Sequence, residues 1–208
     1  MTSAGHWDEV FAQGDEQRSW YESEPTRSLN AITAIATRAA PIIDVGGGSS
    51  HLAAALLRAG FTDITVLDLS ATGLELARQR LGPDADHIHR ITADLLDWTP
   101  QRQFAIWHDR ALLHFFTDPA ERNTYAQKVR DALDPGGHAI ITTFAPDGPD
   151  HCSGQPVHRS SASDILNTLG DEFELVLRGC PSRVQTRRRG HRPPRGPRGR
   201  AARCVPGL

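Results

Sequence analysis

The chain of 208 residues is poor in cysteine and lysine and has no long hydrophobic run. Its three cysteines, Cys152, Cys180 and Cys204, lie far apart and form no Cys-x-x-Cys pair, which argues against a disulfide framework and against a structural zinc site. No stretch approaches the roughly 18 consecutive apolar residues of a membrane-spanning helix, and the amino terminus lacks the pattern of a secretory signal. We therefore expect a cytoplasmic protein that binds no metal and does not enter the membrane.

Acidic residues are absent from the last part of the chain. Residues 178–208 contain ten arginines and no acid, whereas residues 1–177 contain all 25 acids and 13 of the 23 bases, so the two parts carry net charges of +10 and −12. The acidic body argues against a nucleic-acid partner, because phosphate binding requires a basic face. Nucleic acid is expected to bind only through the basic tail, if at all, and the sequence gives no indication of the oligomeric state.

What the chain does contain is a glycine-rich segment directly after an apolar run. Residues 42–50, IIDVGGGSS, combine an acid at Asp44, three glycines and two serines that can begin a helix. Glycines allow a ligand to approach the backbone closely. A second and a third apolar run lead to Asp68 and Asp94. Since the carboxyl ends of parallel strands meet at one edge of a sheet, these three acids are expected to lie together at that edge.

These three segments resemble, as a set, the motifs of class I S-adenosylmethionine-dependent methyltransferases. The pattern of the family is D-x-G-x-G-x-G after the first strand, an acid at the end of the second and Asp-Leu after the third, and here Ser50 replaces the last glycine. The resemblance covers residues 1–177, points to the small-molecule enzymes similar to thiopurine methyltransferase and implies S-adenosyl-L-methionine as cofactor. Asp68 would accept hydrogen bonds from the ribose hydroxyls, and Asp94 from the adenine amino group. The implied cofactor-binding residues are Asp44, Gly46, Gly47, Gly48, Asp68, Leu69, Asp94, Leu95 and Trp20.

Apolar runs and helical segments alternate along the chain, which predicts an α/β fold with a Rossmann-like, doubly wound and mostly parallel sheet. Residues 1–40 are expected to form an N-terminal arm with a lid helix, residues 41–177 the S-adenosylmethionine-binding methyltransferase domain, and residues 178–208 a disordered tail rich in arginine, proline and glycine. The final antiparallel strand of this fold is expected to be missing or degraded, because only residues 183–186 of the tail could make even a short strand.

Aromatic residues of the arm and titratable residues after the fourth strand flank the expected cofactor site. Trp20 can exclude water and face the sulfonium cation. A general base is needed only where the acceptor must lose a proton before it attacks, as a hydroxyl must, so the catalytic residue stays open. Structural alternatives also stay open, namely a packing role for His114 and an ion pair between Asp109 and Arg110. The candidate proton acceptors are His108, Asp109 and His114, and the candidate substrate contacts are Tyr21, Arg110 and His114.

The resemblance implies methyl transfer to a small-molecule acceptor enclosed under the arm. Two alternatives stay open: a cofactor-binding protein with impaired or no turnover, and a methyltransferase that uses the basic tail to act on nucleic acid. The second alternative lacks the Asn-Pro-Pro-Tyr-like tetrapeptide of nucleic-acid amino methylation. A nicotinamide-dependent oxidoreductase is disfavoured, because His51 replaces the third glycine of its fingerprint and no Tyr-x-x-x-Lys pair is present.

The composition of the tail leads to a prediction about its coding sequence. Arginine, proline, glycine and alanine without any acid are what a GC-rich gene yields when it is read out of frame, so we hypothesise a frameshift near codon 178, which would leave the chain less stable and poorly active. Resequencing and translation of the alternative frame are expected to give an acid-containing strand with alternating apolar residues. A frame without such a strand would favour the alternative, a genuine disordered basic tail that binds RNA or an acidic surface.

Overall fold

The computed structural model describes residues 3–14, 16, 18, 20–179 and 183–188. Most of the tail, residues 180–182 and 189–208, lies outside the described residues, so the disorder expected for that part stays a prediction. Along the described part of the chain, no helix combines the length and the apolar character that crossing a membrane requires.

Helices and strands alternate through the body of the chain. The helices are α1 (Ala4–Ala12), α2 (Thr26–Thr33), α3 (Leu52–Arg58), α4 (Ala71–Leu81), α5 (Pro119–Ala132) and α6 (Ala162–Leu169). The strands are β1 (Ile42–Val45), β2 (Ile64–Asp68), β3 (Ile88–Thr92), β4 (Phe104–Arg110), β5 (Leu133–Thr142), β6 (His151–Cys152), β7 (Gln155–Pro156), β8 (Phe173–Gly179) and β9 (Arg183–Arg188). Short 3-10 helices cover Gly82–His87 and Leu113–Phe115.

Seven of these strands form one sheet in the order β3-β2-β1-β4-β5-β9-β8. Strands β1 to β5 are parallel to one another, and β9 runs antiparallel to both of its neighbours. The predicted α/β fold with a Rossmann-like, mostly parallel sheet is confirmed. The strand order reverses between β1 and β4, and ligands of open α/β sheets bind beyond the carboxyl ends of the strands at such a point.

Strand β9 is the final antiparallel strand of the sheet, which the sequence predicts to be missing or degraded. It pairs with β5 along its length, with Val184 opposite Ile141, and with β8 on its other side. The sequence of this strand, RVQTRR, has the polar composition of a degraded strand, since Val184 is its one apolar residue. The strand still forms because its ladder uses backbone groups that every residue except proline supplies. The sheet therefore extends to Arg188, beyond the predicted domain boundary at residue 177.

Local capping residues define the helices that support the sheet. The side chain of Asp118 accepts a hydrogen bond from the backbone N–H of Ala120, and Pro119 occupies the first helical position of α5. Ser161 and Asp164 form a reciprocal capping box at the start of α6. These caps satisfy backbone donors that a helix leaves unpaired at its start.

Apolar side chains cover both faces of the parallel strands. Successive residues of a strand point to opposite faces, so Ile43 packs in the cluster that includes residues of α5 and α6, while Ile42 packs in the cluster on the other face with residues of α2 and α3. Burial on both faces explains why the strands of this sheet read as continuous apolar runs.

A buried polar network fixes the turn that follows β4. Asp109 is fully buried and accepts hydrogen bonds from the backbone N–H of Leu112 at 2.9 Å, from that of Leu113 at 3.1 Å and from the Tyr125 hydroxyl at 2.7 Å. The Tyr125 oxygen accepts in turn from Trp107 Nε1 at 3.1 Å. Burial raises the pKa of Asp109 to about 6, against the lowering effect of these hydrogen bonds. The network holds a turn in which Ala111 has a positive φ of 73°, a conformation that is uncommon for a residue with a Cβ.

Removal of the Tyr125 hydroxyl is expected to destabilise the fold. The variant Tyr125→Phe leaves Trp107 Nε1 without its acceptor and Asp109 without its side-chain donor inside the core, so unfolding in urea should show a loss of about 1–3 kcal/mol. Tyr21→Phe is the matched control, because Tyr21 is the other tyrosine and is partly exposed, and its change should stay within about 0.5 kcal/mol. Equal stabilities of the two variants would contradict a structural role for the network.

Candidate active site

A large cavity opens at the carboxyl ends of the central strands. It encloses about 1040 Å³, a volume that includes the solvent at its mouth. Most of the site residues predicted from the sequence line this cavity, namely Asp44, Gly46, Gly47, Asp68, Leu69, Asp94, Leu95, Trp20, His108 and Arg110. The arm residues Trp7 and Phe11, the turn residues Ala111 and Leu112, and Phe115, Phe116 and Cys152 complete much of the wall.

The glycine-rich loop after β1 packs closely against Asp44 and against the N-terminal arm. Gly46 and Gly48 have positive φ angles of 66° and 44°, which residues with a side chain rarely adopt. A Cβ at Gly47 would lie 2.8 Å from Asp44 Oδ2, so this glycine permits the tight turn above the acid. A Cβ at Gly48 would lie 2.5 Å from the Phe11 ring. Gly48 therefore makes room for the arm, and it does not line the large cavity.

All three predicted acids line the cavity, and two of them, Asp68 and Asp94, accept hydrogen bonds from the backbone. Asp68 Oδ1 accepts from the backbone N–H of Ser70 at 2.7 Å, and Asp94 Oδ1 accepts from that of Leu96 at 2.9 Å. Burial raises the pKa of Asp68 to about 6, while backbone hydrogen bonds from Ser70 and Gly48 act in the opposite direction. Each carboxylate can still accept from a ligand, because an ionised carboxylate offers about four lone-pair positions.

The third acid belongs to a buried chain of side chains. Asp44 Oδ1 lies 2.6 Å from His108 Nδ1, and His108 Nε2 lies 2.9 Å from the hydroxyl of Ser28 in α2. All three residues are almost fully buried. Asp44 and His108 line the cavity, whereas Ser28 lies behind them. Both ring nitrogens of His108 are therefore engaged within the protein.

The N-terminal arm covers the cavity through α1 and the segment that follows it. Asp8 accepts from the Ser70 hydroxyl at 2.6 Å and from the backbone N–H of Thr72 at 3.0 Å, so it binds the start of α4. These hydrogen bonds lower the pKa of Asp8. The ring of Phe11 lies against Gly48 and Gly73, where added Cβ atoms would come within 2.5 Å and 2.8 Å of it.

Aromatic contacts and one hydrogen bond complete the cover. The ring of Trp7 meets that of Phe115 edge-on at 5.0 Å, and the rings of Phe11 and Trp20 meet at 5.5 Å. Trp20 Nε1 donates to the Ser153 hydroxyl at 3.2 Å, which joins the arm to the hairpin of β6 and β7. The sequence analysis missed this hairpin, since strands of two residues leave no periodic signal.

The structure separates Tyr21, Asp109 and His114 from the cavity. Tyr21 meets the ring of His51 at 5.5 Å. Asp109 faces away because successive residues of β4 alternate between the two faces, and His108 and Arg110 occupy the cavity side. His114 stacks on Phe144 at 4.9 Å, with no hydrogen-bond partner for either ring nitrogen among the described residues. Burial lowers the pKa of His114 to about 4.

Arg110 brings a guanidinium group to the cavity wall. Its Nε lies 3.9 Å from Glu22 Oε2, which is beyond hydrogen-bonding distance. The ion pair that the sequence suggested between Asp109 and Arg110 is not formed, because Asp109 is enclosed by Tyr125 and the backbone of the following turn. Arg110 lines the cavity, so its guanidinium group can donate hydrogen bonds to a ligand there.

The chain is similar to known methyltransferases in sequence and in fold. Residues 42–137 match the methyltransferase domain family. The chain is 30% identical over 115 residues to a probable thiol methyltransferase 2 of Arabidopsis thaliana, an alignment that covers 53% of this chain and 48% of the relative. The chain thus spans about half the length of the curated relative that it matches.

Several solved structures share the fold. A protein of echinomycin biosynthesis, described in the conversion of a disulfide bond into a thioacetal group, has a TM-score of 0.71 at 21% identity, over 89% of this chain and 93% of that one. The 1,6-didemethyltoxoflavin-N1-methyltransferase of Burkholderia thailandensis, solved with S-adenosylhomocysteine, has a TM-score of 0.66 at 21% identity, over 89% and 88% of the two chains. The glycopeptide N-methyltransferase MtfA with S-adenosylmethionine has a TM-score of 0.64 at 15% identity, over 86% and 99%.

The sequence match spans the glycine-rich loop, all three strand-end acids and the segment after β4, and the fold agrees over most of the chain. Residues 42–137 therefore match a methyltransferase domain, and the chain has the fold of the S-adenosylmethionine-dependent methyltransferases.

Proposed function

We propose that the protein transfers the methyl group of S-adenosylmethionine to a small-molecule acceptor bound under the N-terminal arm. The observation that carries the proposal is the continuity of one cavity, which runs from the strand-end acids to the aromatic residues of the arm. Residues 1–40 serve as arm and lid in this proposal, and residues 41–177 hold the cofactor.

The cofactor is proposed to lie across the ends of β1, β2 and β3. Asp68 accepts hydrogen bonds from the ribose hydroxyls, and Asp94 accepts one from the adenine amino group. Leu69 and Leu95 flank the purine ring, and Asp44 binds the amino group of the methionine part. Gly46 and Gly47 let the ligand approach the loop backbone, while the ring of Trp20 closes the site from above.

The acceptor is proposed to bind between the arm and the turn after β4, where Arg110 provides a positive charge. The geometry favours a nucleophile that needs no enzymatic base, because His108 has both ring nitrogens engaged and Asp109 and His114 lie outside the cavity. A thiol meets this condition, since its pKa of about 8.5 leaves a useful thiolate fraction near neutral pH. The name of the Arabidopsis relative agrees with a sulfur acceptor. Positioning can then supply most of the rate.

A methyl-transfer screen tests the proposed function. The purified chain and tritiated S-adenosylmethionine are incubated with metabolite, protein and RNA pools, and label is expected in small molecules, with thiols among them. The variant Asp68→Ala is the control for contaminating enzymes, since it should lose most of the labelling. Label found only in RNA or protein would overturn the small-molecule assignment, and cofactor binding without label in any pool would favour a protein that no longer turns over.

The affinity for the cofactor product is expected to depend on Asp68 and on pH. Asp68→Ala removes charge-assisted hydrogen bonds to ribose, which should cost about 1.5–3 kcal/mol, or roughly ten- to hundredfold in the Kd of S-adenosylhomocysteine. The ligand binds the carboxylate form, and the pKa of Asp68 in the free protein is about 6. Binding therefore releases a proton near this pH, and affinity falls as the pH is lowered through about 6.

Calorimetry between pH 5.5 and 8 measures both effects. Asp68→Asn is the matched variant for the pH dependence, because it keeps the shape of the side chain and cannot titrate. An unchanged affinity for S-adenosylhomocysteine in Asp68→Ala would show that this residue does not contact the ligand. The same conclusion would follow if the affinities of the wild type and of Asp68→Asn showed the same dependence on pH. Tight binding of NAD by the wild-type chain would contradict the cofactor assignment itself.

A further inference from the structure

We propose that His108 is a positioning residue that holds Asp44 for the amino group of the cofactor and links this acid to helix α2 through Ser28. The inference rests on the proposed function, since it concerns the methionine end of the same cofactor site. It replaces the role of proton acceptor for which His108 was a candidate on sequence grounds.

The sheet brings Asp44 and His108 together. They occupy directly paired positions on the neighbouring parallel strands β1 and β4, so their side chains leave the sheet on the same face. The distance of 2.6 Å between Asp44 Oδ1 and His108 Nδ1 is that of a strong hydrogen bond. A carboxylate can only accept, so Nδ1 carries the proton and donates it to Asp44.

The second ring nitrogen of His108 connects the Asp44–His108 pair to helix α2. His108 Nε2 lies 2.9 Å from Ser28 Oγ, and Ser28 is 4% exposed in the first turn of α2. Contacts at both ends of the imidazole fix its rotation, and the fixed ring in turn fixes the plane of the Asp44 carboxylate. In metal sites, hydrogen bonds to the far nitrogen of a histidine orient the binding group in the same way.

The arrangement leaves one side of the carboxylate for a ligand. Oδ1 is engaged by His108, and Oδ2 lies beside the glycine loop, where a Cβ on Gly47 would come within 2.8 Å of it. Asp44 lines the cavity although its side chain is only 5% exposed. A ligand group that reaches this oxygen must therefore be compact and must donate a hydrogen bond, and the positively charged α-ammonium group of the methionine part is such a donor.

Two ligands that differ only at the methionine end provide the test. S-adenosylhomocysteine carries the amino-acid part, whereas 5′-methylthioadenosine keeps adenine, ribose and sulfur but lacks it. In calorimetry on the full chain, His108→Phe is expected to weaken S-adenosylhomocysteine by about tenfold and to leave 5′-methylthioadenosine unchanged. His108→Asn should restore the affinity to within about threefold, because the amide nitrogen can occupy the position of Nδ1 and donate to Asp44.

Ser28→Ala is the second variant, and it keeps the inference testable if His108→Phe does not fold. It retains the imidazole and removes its outer partner, so S-adenosylhomocysteine should weaken by about threefold with 5′-methylthioadenosine unchanged. His138→Gln is the control, because His138 lies on β5 and outside the cavity wall.

The outcomes separate the inference from the function on which it rests. Equal weakening of both ligands would show a structural role only, and unchanged binding of both in every variant would remove the positioning role. If the wild-type chain binds neither ligand, the proposed function fails. If it binds both, and the variants do not distinguish them, the function stands and the role of His108 is rejected.

Discussion

The burial of carboxylates at the ends of adjacent strands is the constraint on which the rest of this structure depends. A buried carboxylate is costly unless hydrogen bonds replace the water that it loses. Asp44 receives its hydrogen bond from His108, Asp68 from the start of α4, and Asp109 from Tyr125 and the following turn. Each acid thus fixes the element that satisfies it. The same contacts that make burial tolerable also shape the walls of the cavity.

The sequence predicts those parts of the site that depend on local order along the chain. An apolar run followed by an acid identifies a strand end, so the placement of Asp68 and Asp94 at the sheet edge could be predicted from single segments. The side of a strand on which a residue lies is harder to predict, because it depends on where the strand ends. Strand β4 continues to Arg110, and the alternation over its last residues turns Asp109 away from the cavity.

Contacts between distant segments could not be predicted from the sequence. The bond from Asp8 to the start of α4 spans 62 residues or more, and the bond from Trp20 to Ser153 spans 133. Nothing in the arm sequence identifies Asp8 as a capping residue for another helix. The final strand shows the opposite case, since a polar segment forms β9 because the sheet around it offers two unpaired edges. In each case tertiary context decides the result, and local preference does not.

The cover that the arm and the hairpin form together has a kinetic consequence. The indole of Trp20 is bonded to Ser153, and its ring packs edge-on against that of Phe11, so both contacts must break before Trp20 can move away from the cavity. In the proposed function, each catalytic cycle includes two movements of the arm, one that admits reactants and one that releases products. In enzymes built this way the opening of a lid often limits the turnover rate. In the proposed function, the strength of the few contacts that hold the arm over the cavity then sets how fast the cycle can run.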